Sequence, residues 1–202
     1  MSFGSFELIL GCMFSGKTSE LINKYDRYCI GGKNCLMIKY KGDTRYSNHE
    51  VVTHNGIKLN AIICETLHDI EAKNILNQYQ VICIDEIQFY KDAYIYCDKW
   101  ANDGKIVIAS GLNGTSERKQ FEIISLLIPL ADNIIFKQAI TRENGNNASF
   151  SDSKVVKTCQ KLIGGSDIYR AVDRVTYYSD PKRLKKFYAN TYKEINNMYN
   201  TK

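Results

Sequence analysis

The chain has 202 residues, 44% of them hydrophobic and 24% charged, with only two prolines, enough apolar material for one domain and a small appendage. There is no run of eighteen apolar residues, and MSFGSFELIL lacks the basic region, apolar stretch and cleavage site of a secretory signal, so a soluble cytoplasmic protein without a membrane partner is expected. The net charge of +5 does not argue for a nucleic-acid partner: residues 181–202 hold six bases against Glu194, which leaves the rest of the chain formally neutral.

Residues 6–10 (FELIL) form a short β-type run entering a glycine turn, and 17–30 are helix-compatible up to Gly31-Gly32. Similar β-type runs follow at 35–40 (CLMIKY), 81–85 (VICID), 105–110 (KIVIAS) and 134–140, with helix-compatible stretches at 67–79, 93–103 and 121–128. Buried apolar strands separated by helices predict an α/β fold, a parallel sheet covered on both faces. From Thr141 the texture changes: RENGNNASFSDS is polar, and VVKTCQKLIGGSD has β-type character broken by a glycine pair, which predicts a loop-and-hairpin appendage. Beyond Pro181, Leu184, Tyr188, Tyr192, Ile195 and Tyr199 recur at steps of three and four, the stripe of a docked basic amphipathic helix. The expected division is 1–140, 141–180 and 181–202.

Seven cysteines at irregular spacing, with no C-x-x-C pair, read as reduced thiols, and His49, His54 and His68 do not stand at metal-ligand spacing. No zinc is expected.

GCMFSGKT (11–18) matches G-x-x-x-x-G-K-[ST] between a strand and a helix, the context of a P-loop. Gly11 and Gly16 let the loop wrap so that backbone N–H groups of Cys12, Met13, Phe14 and Ser15 and the helix N-terminus face phosphate oxygens of ATP. Lys17 reaches the outer phosphates and the Thr18 hydroxyl ligates Mg²⁺. VICIDE (81–86) is an apolar strand ending in two carboxylates, so Asp85 is placed to hold Mg²⁺ and Glu86 to accept a proton from an attacking hydroxyl. These motifs point to phosphoryl transfer without naming the acceptor. A P-loop motor, a non-catalytic nucleotide binder and a nucleoside monophosphate kinase are alternatives. The neutral body offers no nucleic-acid track, the chemical residues are all present, and no arginine-rich lid is visible.

Taken with IKYKGDTRYS, IDEIQFY, ANDGKIVIASGLNGT, RKQF and LIGGSDIYRAV, the phosphate motif resembles the type II thymidine kinases over about residues 6–178. The resemblance implies a P-loop NTPase-type kinase domain with a small C-terminal lasso domain that transfers phosphate from ATP to the thymidine 5′-hydroxyl. It implies Glu86 as general base, with Lys17 and Arg45 at the transfer site. Met13, Phe89, Leu112 and Phe121 would wall the nucleoside pocket, and Leu162, Ile163, Gly164, Gly165 and Tyr169 would form the lasso over the base. A homotetramer and feedback inhibition by thymidine triphosphate are also implied.

The same resemblance implies a structural zinc held by two C-x-x-C pairs, and here the chain departs from it. Thr141 and Asn144 stand at the first pair, Asp173 and Thr176 at the second. Thiolate or imidazole is absent from all four, so something else must order the lasso; the striped tail helix is the expected substitute. Ser116 stands where an aromatic wall residue is usual, which would widen the pocket.

Overall fold

The computed structural model describes residues 4–43, 50–52, 56–154 and 164–200. In chain order the elements begin β1 (Ser5–Gly11), α1 (Lys17–Ile30), β2 (Cys35–Tyr40), β3 (Glu50–Val52), β4 (Lys58–Asn60), β5 (Ile62–Cys64) and α2 (His68–Glu71). They continue with β6 (Val81–Ile84), α3 (Ala93–Asn102), β7 (Ile106–Leu112), α4 (Glu122–Leu127) and β8 (Asn133–Lys137). The last group is β9 (Ala139–Ile140), β10 (Asn147–Ala148), β11 (Phe150–Ser153), β12 (Tyr169–Val172), α5 (Arg174–Tyr177) and α6 (Pro181–Asn200).

Six strands form one parallel sheet in the order β5-β2-β6-β7-β1-β8. Successive strand side chains point to opposite faces, so a sheet covered on both sides needs apolar residues at every position. Leu8, Leu36, Ile38, Ile82, Ile84, Val107 and Ala109 pack on one face with Trp100 of α3 and Ile123, Ile124 and Leu127 of α4. Their neighbours Ile9, Met37, Cys83 and Ile108 pack on the other with Leu21 and Ile22 of α1. Each fully buried Leu, Ile, Val or Met among them contributes about 1.5–3 kcal/mol. Trp100 is 1% exposed, and its Nε1–H donates to Glu71 Oε2 at 2.7 Å, which removes the cost of burying the indole donor.

Five cysteines are buried as free thiols and Cys29 is an exposed one; Cys159 lies outside the described residues. Burial pushes the Cys64 thiol up to about 11, so it stays protonated and packs as a small hydrophobe.

Three expectations are corrected. The helix over 67–79 shrinks to α2 and a 3₁₀ turn at Leu76–Gln78, because Asp92 takes the N–H groups of Leu67 and His68 at 3.2 and 2.9 Å and holds the segment to the start of α3. The run at 134–140 divides: β8 closes the main sheet, whereas β9 pairs with β10. The tail is a 20-residue helix, but Tyr188, Tyr192 and Ile195 of its stripe are 53%, 67% and 42% exposed. What docks is its beginning. Arg183 reaches Asp152 at 2.7 Å, and the Phe187 ring meets that of Tyr178 at 5.8 Å.

The appendage is two antiparallel pairs, β9–β10 and β11–β12, and β12 leads directly into α5.

Candidate active site

The phosphate loop leaves β1 at Gly11, where a Cβ would stand 2.5 Å from Ser15 Oγ and closer still to the Lys137 carbonyl oxygen, so only glycine fits. Gly16 at φ 77° turns the chain into α1, whose positive end faces the loop with no side-chain cap across it. Ser15 Oγ donates to Cys12 O at 2.9 Å and Lys17 Nζ to the same carbonyl at 2.7 Å, so the ammonium lies across the loop. Met13 is buried and Phe14 holds φ 64°. Burial pushes the Cys12 thiol above its ordinary range, and the neutral thiol donates to Ala148 O at 3.2 Å.

Two strands away, Asp85 directly follows β6 and is 7% exposed. Ser110 on the intervening β7 donates to Asp85 Oδ1 at 2.5 Å, and Thr18 Oγ1 lies 3.4 and 3.3 Å from the two carboxylate oxygens. Cis ligands of an octahedral Mg²⁺ with bonds of about 2.0–2.1 Å are about 3 Å apart, so the hydroxyl and the carboxylate fit one such ion.

Glu86 follows at φ 54° and is 9% exposed. A non-glycine residue in the left-handed region costs roughly 1–3 kcal/mol, a strain that surrounding structure must hold. Gln88 supplies part of that hold: its Nε2 donates to Glu86 Oε2 and its Oε1 accepts the Leu112 N–H at 3.1 Å. Leu112 is in register with Gly11, so the carboxylate, the end of β7 and the phosphate loop form one connected edge. Phe89 stacks on Tyr40 at 5.1 Å, and Phe121 packs against the core just before α4.

The small β unit touches this edge directly. The Met13 N–H donates to Ser151 Oγ at 2.9 Å, and Ala139, Ala148 and Ala171 enclose Cys12. Gly164 is buried; Gly165 O accepts from Ile168 N and Tyr169 N at 3.2 and 2.9 Å, a turn that leads Tyr169, 8% exposed, into β12. Arg45, Leu162 and Ile163 lie outside the described residues, as do His49 and His54.

The motifs pointed to the phosphate loop and both carboxylates but missed Ser110, Gln88, Ser151 and Lys137. Gln88 was within reach, standing in the quoted IDEIQFY two residues after Glu86. Ser151 carries no local signal, since its contact spans 138 residues of sequence. Lys137 joins the loop from the edge strand; its Nζ bonds Glu20 at 2.9 Å and holds that carboxyl below its ordinary range.

Comparison with known proteins agrees with this geometry. The thymidine kinase family model matches residues 4–177. The thymidine kinase of myxoma virus (strain Lausanne) is 41% identical over 175 residues, 87% of this chain and 97% of that protein. That of raccoon poxvirus is 40% identical over 180 residues, 89% of this chain and all of its own length. The vaccinia virus (strain Western Reserve) thymidine kinase is 39% identical over 177 residues, 88% of this chain and 98% of its own. With the phosphate loop, the carboxylate pair and the sheet that presents them, this places the chain in the thymidine kinase family.

Proposed function

We propose that the chain transfers the γ-phosphate of ATP to the 5′-hydroxyl of thymidine, giving thymidine monophosphate and ADP in DNA precursor salvage. The reading is carried by the meeting of a phosphate loop and a carboxylate pair on one sheet edge, in a chain of this family. The acceptor's identity comes from the relatives, which are named thymidine kinases.

Loop N–H groups other than that of Met13, which is given to Ser151, and the α1 terminus hold the donor phosphates, and Lys17 neutralises charge that develops on the transferred group. Thr18 and Asp85 are hard oxygen ligands for Mg²⁺, which when bound offsets the charge of the phosphate oxygens. Glu86, oriented by Gln88, accepts the proton of the 5′-hydroxyl as its oxygen attacks, and Arg45 adds positive charge at the transfer site. Met13, Phe89, Leu112 and Phe121 wall the nucleoside, while Leu162, Ile163, Gly164, Gly165 and Tyr169 cover the base. The division at 140 and 180, a homotetramer, inhibition by thymidine triphosphate and a cytoplasmic address belong to the same reading. Among the described residues no helix is long and apolar enough to cross a membrane.

The test is thymidine-dependent ADP release from Mg-ATP, run beside Glu86→Gln. Turnover by the wild-type protein and a loss of about 10²–10⁴-fold in the variant, with ATP binding kept, is expected. No turnover with any nucleoside, although ATP binds, would overturn the kinase reading. Sedimentation and inhibition by thymidine triphosphate check assembly and feedback.

A further inference from the structure

The two strand pairs of the small β unit are joined by polar side chains. Asp173, immediately after β12, caps α5 by accepting the Thr176 N–H at 2.7 Å on Oδ1. Its Oδ2 accepts Nδ2–H groups of Asn144 and Asn146 at 3.0 and 3.2 Å, both from the turn between β9 and β10. Inside that turn the Thr141 hydroxyl bonds Asn144 Oδ1, and the Asn146 N–H is shared between Asn144 Oδ1 at 3.0 Å and Thr141 Oγ1 at 3.2 Å. Thr141 is 2% and Asp173 9% exposed, whereas Asn144 and Asn146 lie at the surface, so the cluster joins two buried residues to an exposed turn. Hydrogen bonds from the Thr176 side chain and backbone, then from Asn144 and Asn146, hold the Asp173 carboxyl well below the usual carboxylate range.

Thr141, Asn144, Asp173 and Thr176 are the positions at which the resemblance implies zinc cysteines, and they do not fit zinc. They supply hydroxyls, an amide and one carboxylate where a structural site needs thiolates or imidazoles. Asn144 aims an N–H donor at Asp173, so the polar atoms satisfy one another. Among the described residues, no three His, Cys, Asp or Glu side chains gather as a metal site.

We propose that Thr141, Asn144, Asn146, Asp173 and Thr176 form a metal-free polar clip, with Asp173 as its hub, which fixes the small β unit against the phosphate loop. The consequence rests on the kinase reading above. Tying the end of β12 to the β9–β10 turn sets the places of Ala148 on β10 and of Ser151, which pairs with Ala171 on β12. Those two residues accept from Cys12 and Met13, so Asp173 is a positioning residue for the acceptor side of the site. The tail helix contributes separately, through Arg183 on Asp152 and Phe187 on Tyr178.

The test uses full-length protein and four measurements: zinc content, Tm with and without a chelator, kcat, and KM for thymidine. Wild-type protein should carry well under one zinc per chain and melt unchanged in chelator. Asp173→Ala should lower Tm by about 5 °C and raise the thymidine KM several-fold while kcat changes by less than about twofold. Asp173→Asn, which keeps one oxygen acceptor, should fall between them. The variant T141C/N144C/D173C/T176C should take up one zinc per chain and melt higher with it than without, because the four positions converge. Stoichiometric zinc in the wild type, removed together with its stability by chelator, overturns the clip. So does an Asp173→Ala protein with wild-type Tm and KM, or a four-cysteine variant that binds no zinc. Should Asp173→Ala fail to fold, Asp173→Asn is read in its place, and its parity with wild type overturns the clip. Failure of the kinase reading is distinguishable: a wild type without thymidine turnover sinks that reading, while zinc content and Tm still judge the clip.

Discussion

Replacing Gln88 by methionine should separate the orientation of Glu86, the carboxylate proposed as general base, from its presence. The side chain is 6% exposed and spans two contacts, donating to Glu86 Oε2 and accepting the Leu112 N–H at 3.1 Å. Methionine keeps its length and much of its volume but does neither. A hydrogen bond to a charged group is worth about 1.5–3 kcal/mol. Lost from the reacting arrangement, at about 1.4 kcal/mol per factor of ten, it lowers kcat about 10- to 100-fold. The Leu112 N–H left without its acceptor costs roughly 1–3 kcal/mol of stability, a fall in Tm of about 2–12 °C for a chain of this size. Initial rates with thymidine varied at saturating Mg-ATP give kcat and KM separately, and a thermal melt gives the second quantity. The discriminating arm repeats the change in the Glu86→Gln background, where no carboxylate remains to orient and Gln88→Met should add less than about twofold. Equal fold losses in both backgrounds, or wild-type kcat in the single variant, would refute the orienting role.

Gly11→Ala should reduce ATP affinity by about 100-fold or more, because the added Cβ meets Ser15 Oγ and the Lys137 carbonyl and the loop backbone must move; titration calorimetry giving affinity within threefold of wild type contradicts this. Arg118 sits 4.6 Å from the centre of the Phe150 ring, close to Tyr177, Tyr178 and Phe187 as well, and donates to the Tyr178 hydroxyl. Arg118→Met should therefore lower Tm by about 4–8 °C, about 2 kcal/mol, and Arg118→Lys should recover less than half of it, lacking the planar fork; full recovery by lysine would show that charge alone matters. The depressed carboxyl of Asp173 fixes a sign. Its folded value lies below the unfolded value of about 3.9, so its contribution is complete above about pH 5 and is lost as pH falls through the folded value. Melts of wild type and Asp173→Asn should run parallel from pH 8 to 5 and converge only in acid; a gap that closes near neutrality assigns the effect to another group.

Five of the sheet's six strands were legible because a buried parallel strand must be apolar on both faces, and VICID or KIVIAS leaves little else to be built; β5, only three residues long, was not. The helix α1 was legible to the residue, since a phosphate loop must precede it and a glycine pair must end it. The phosphate loop, Asp85 and Glu86 could be read because their chemistry depends on neighbours in sequence. Ser110 acts on Asp85 from the neighbouring strand, a relation that only strand order reveals, whereas Gln88 bonds Glu86 from two residues away and was there to be read. The polar turn RENGNN was legible as part of a loop-and-hairpin appendage, but not that Asp173, 27 residues beyond Asn146, ties it to the other strand pair. The striped tail misled in the opposite direction. Its period is helical, as observed, but periodicity does not say what covers a stripe, and most of this one faces water.

The strand that launches the phosphate loop lies between β7 and β8, both drawn from the second half of the chain. On the ribosome, residues 5–11 therefore emerge long before either neighbour exists, and Lys137, whose carbonyl Gly11 packs against, arrives more than a hundred residues later. A nascent chain cannot close its ATP-binding loop on the N-terminal motif alone. Nucleotide binding during synthesis becomes a report on completion of the sheet, and a chain stopped before β8 has the motif without the site.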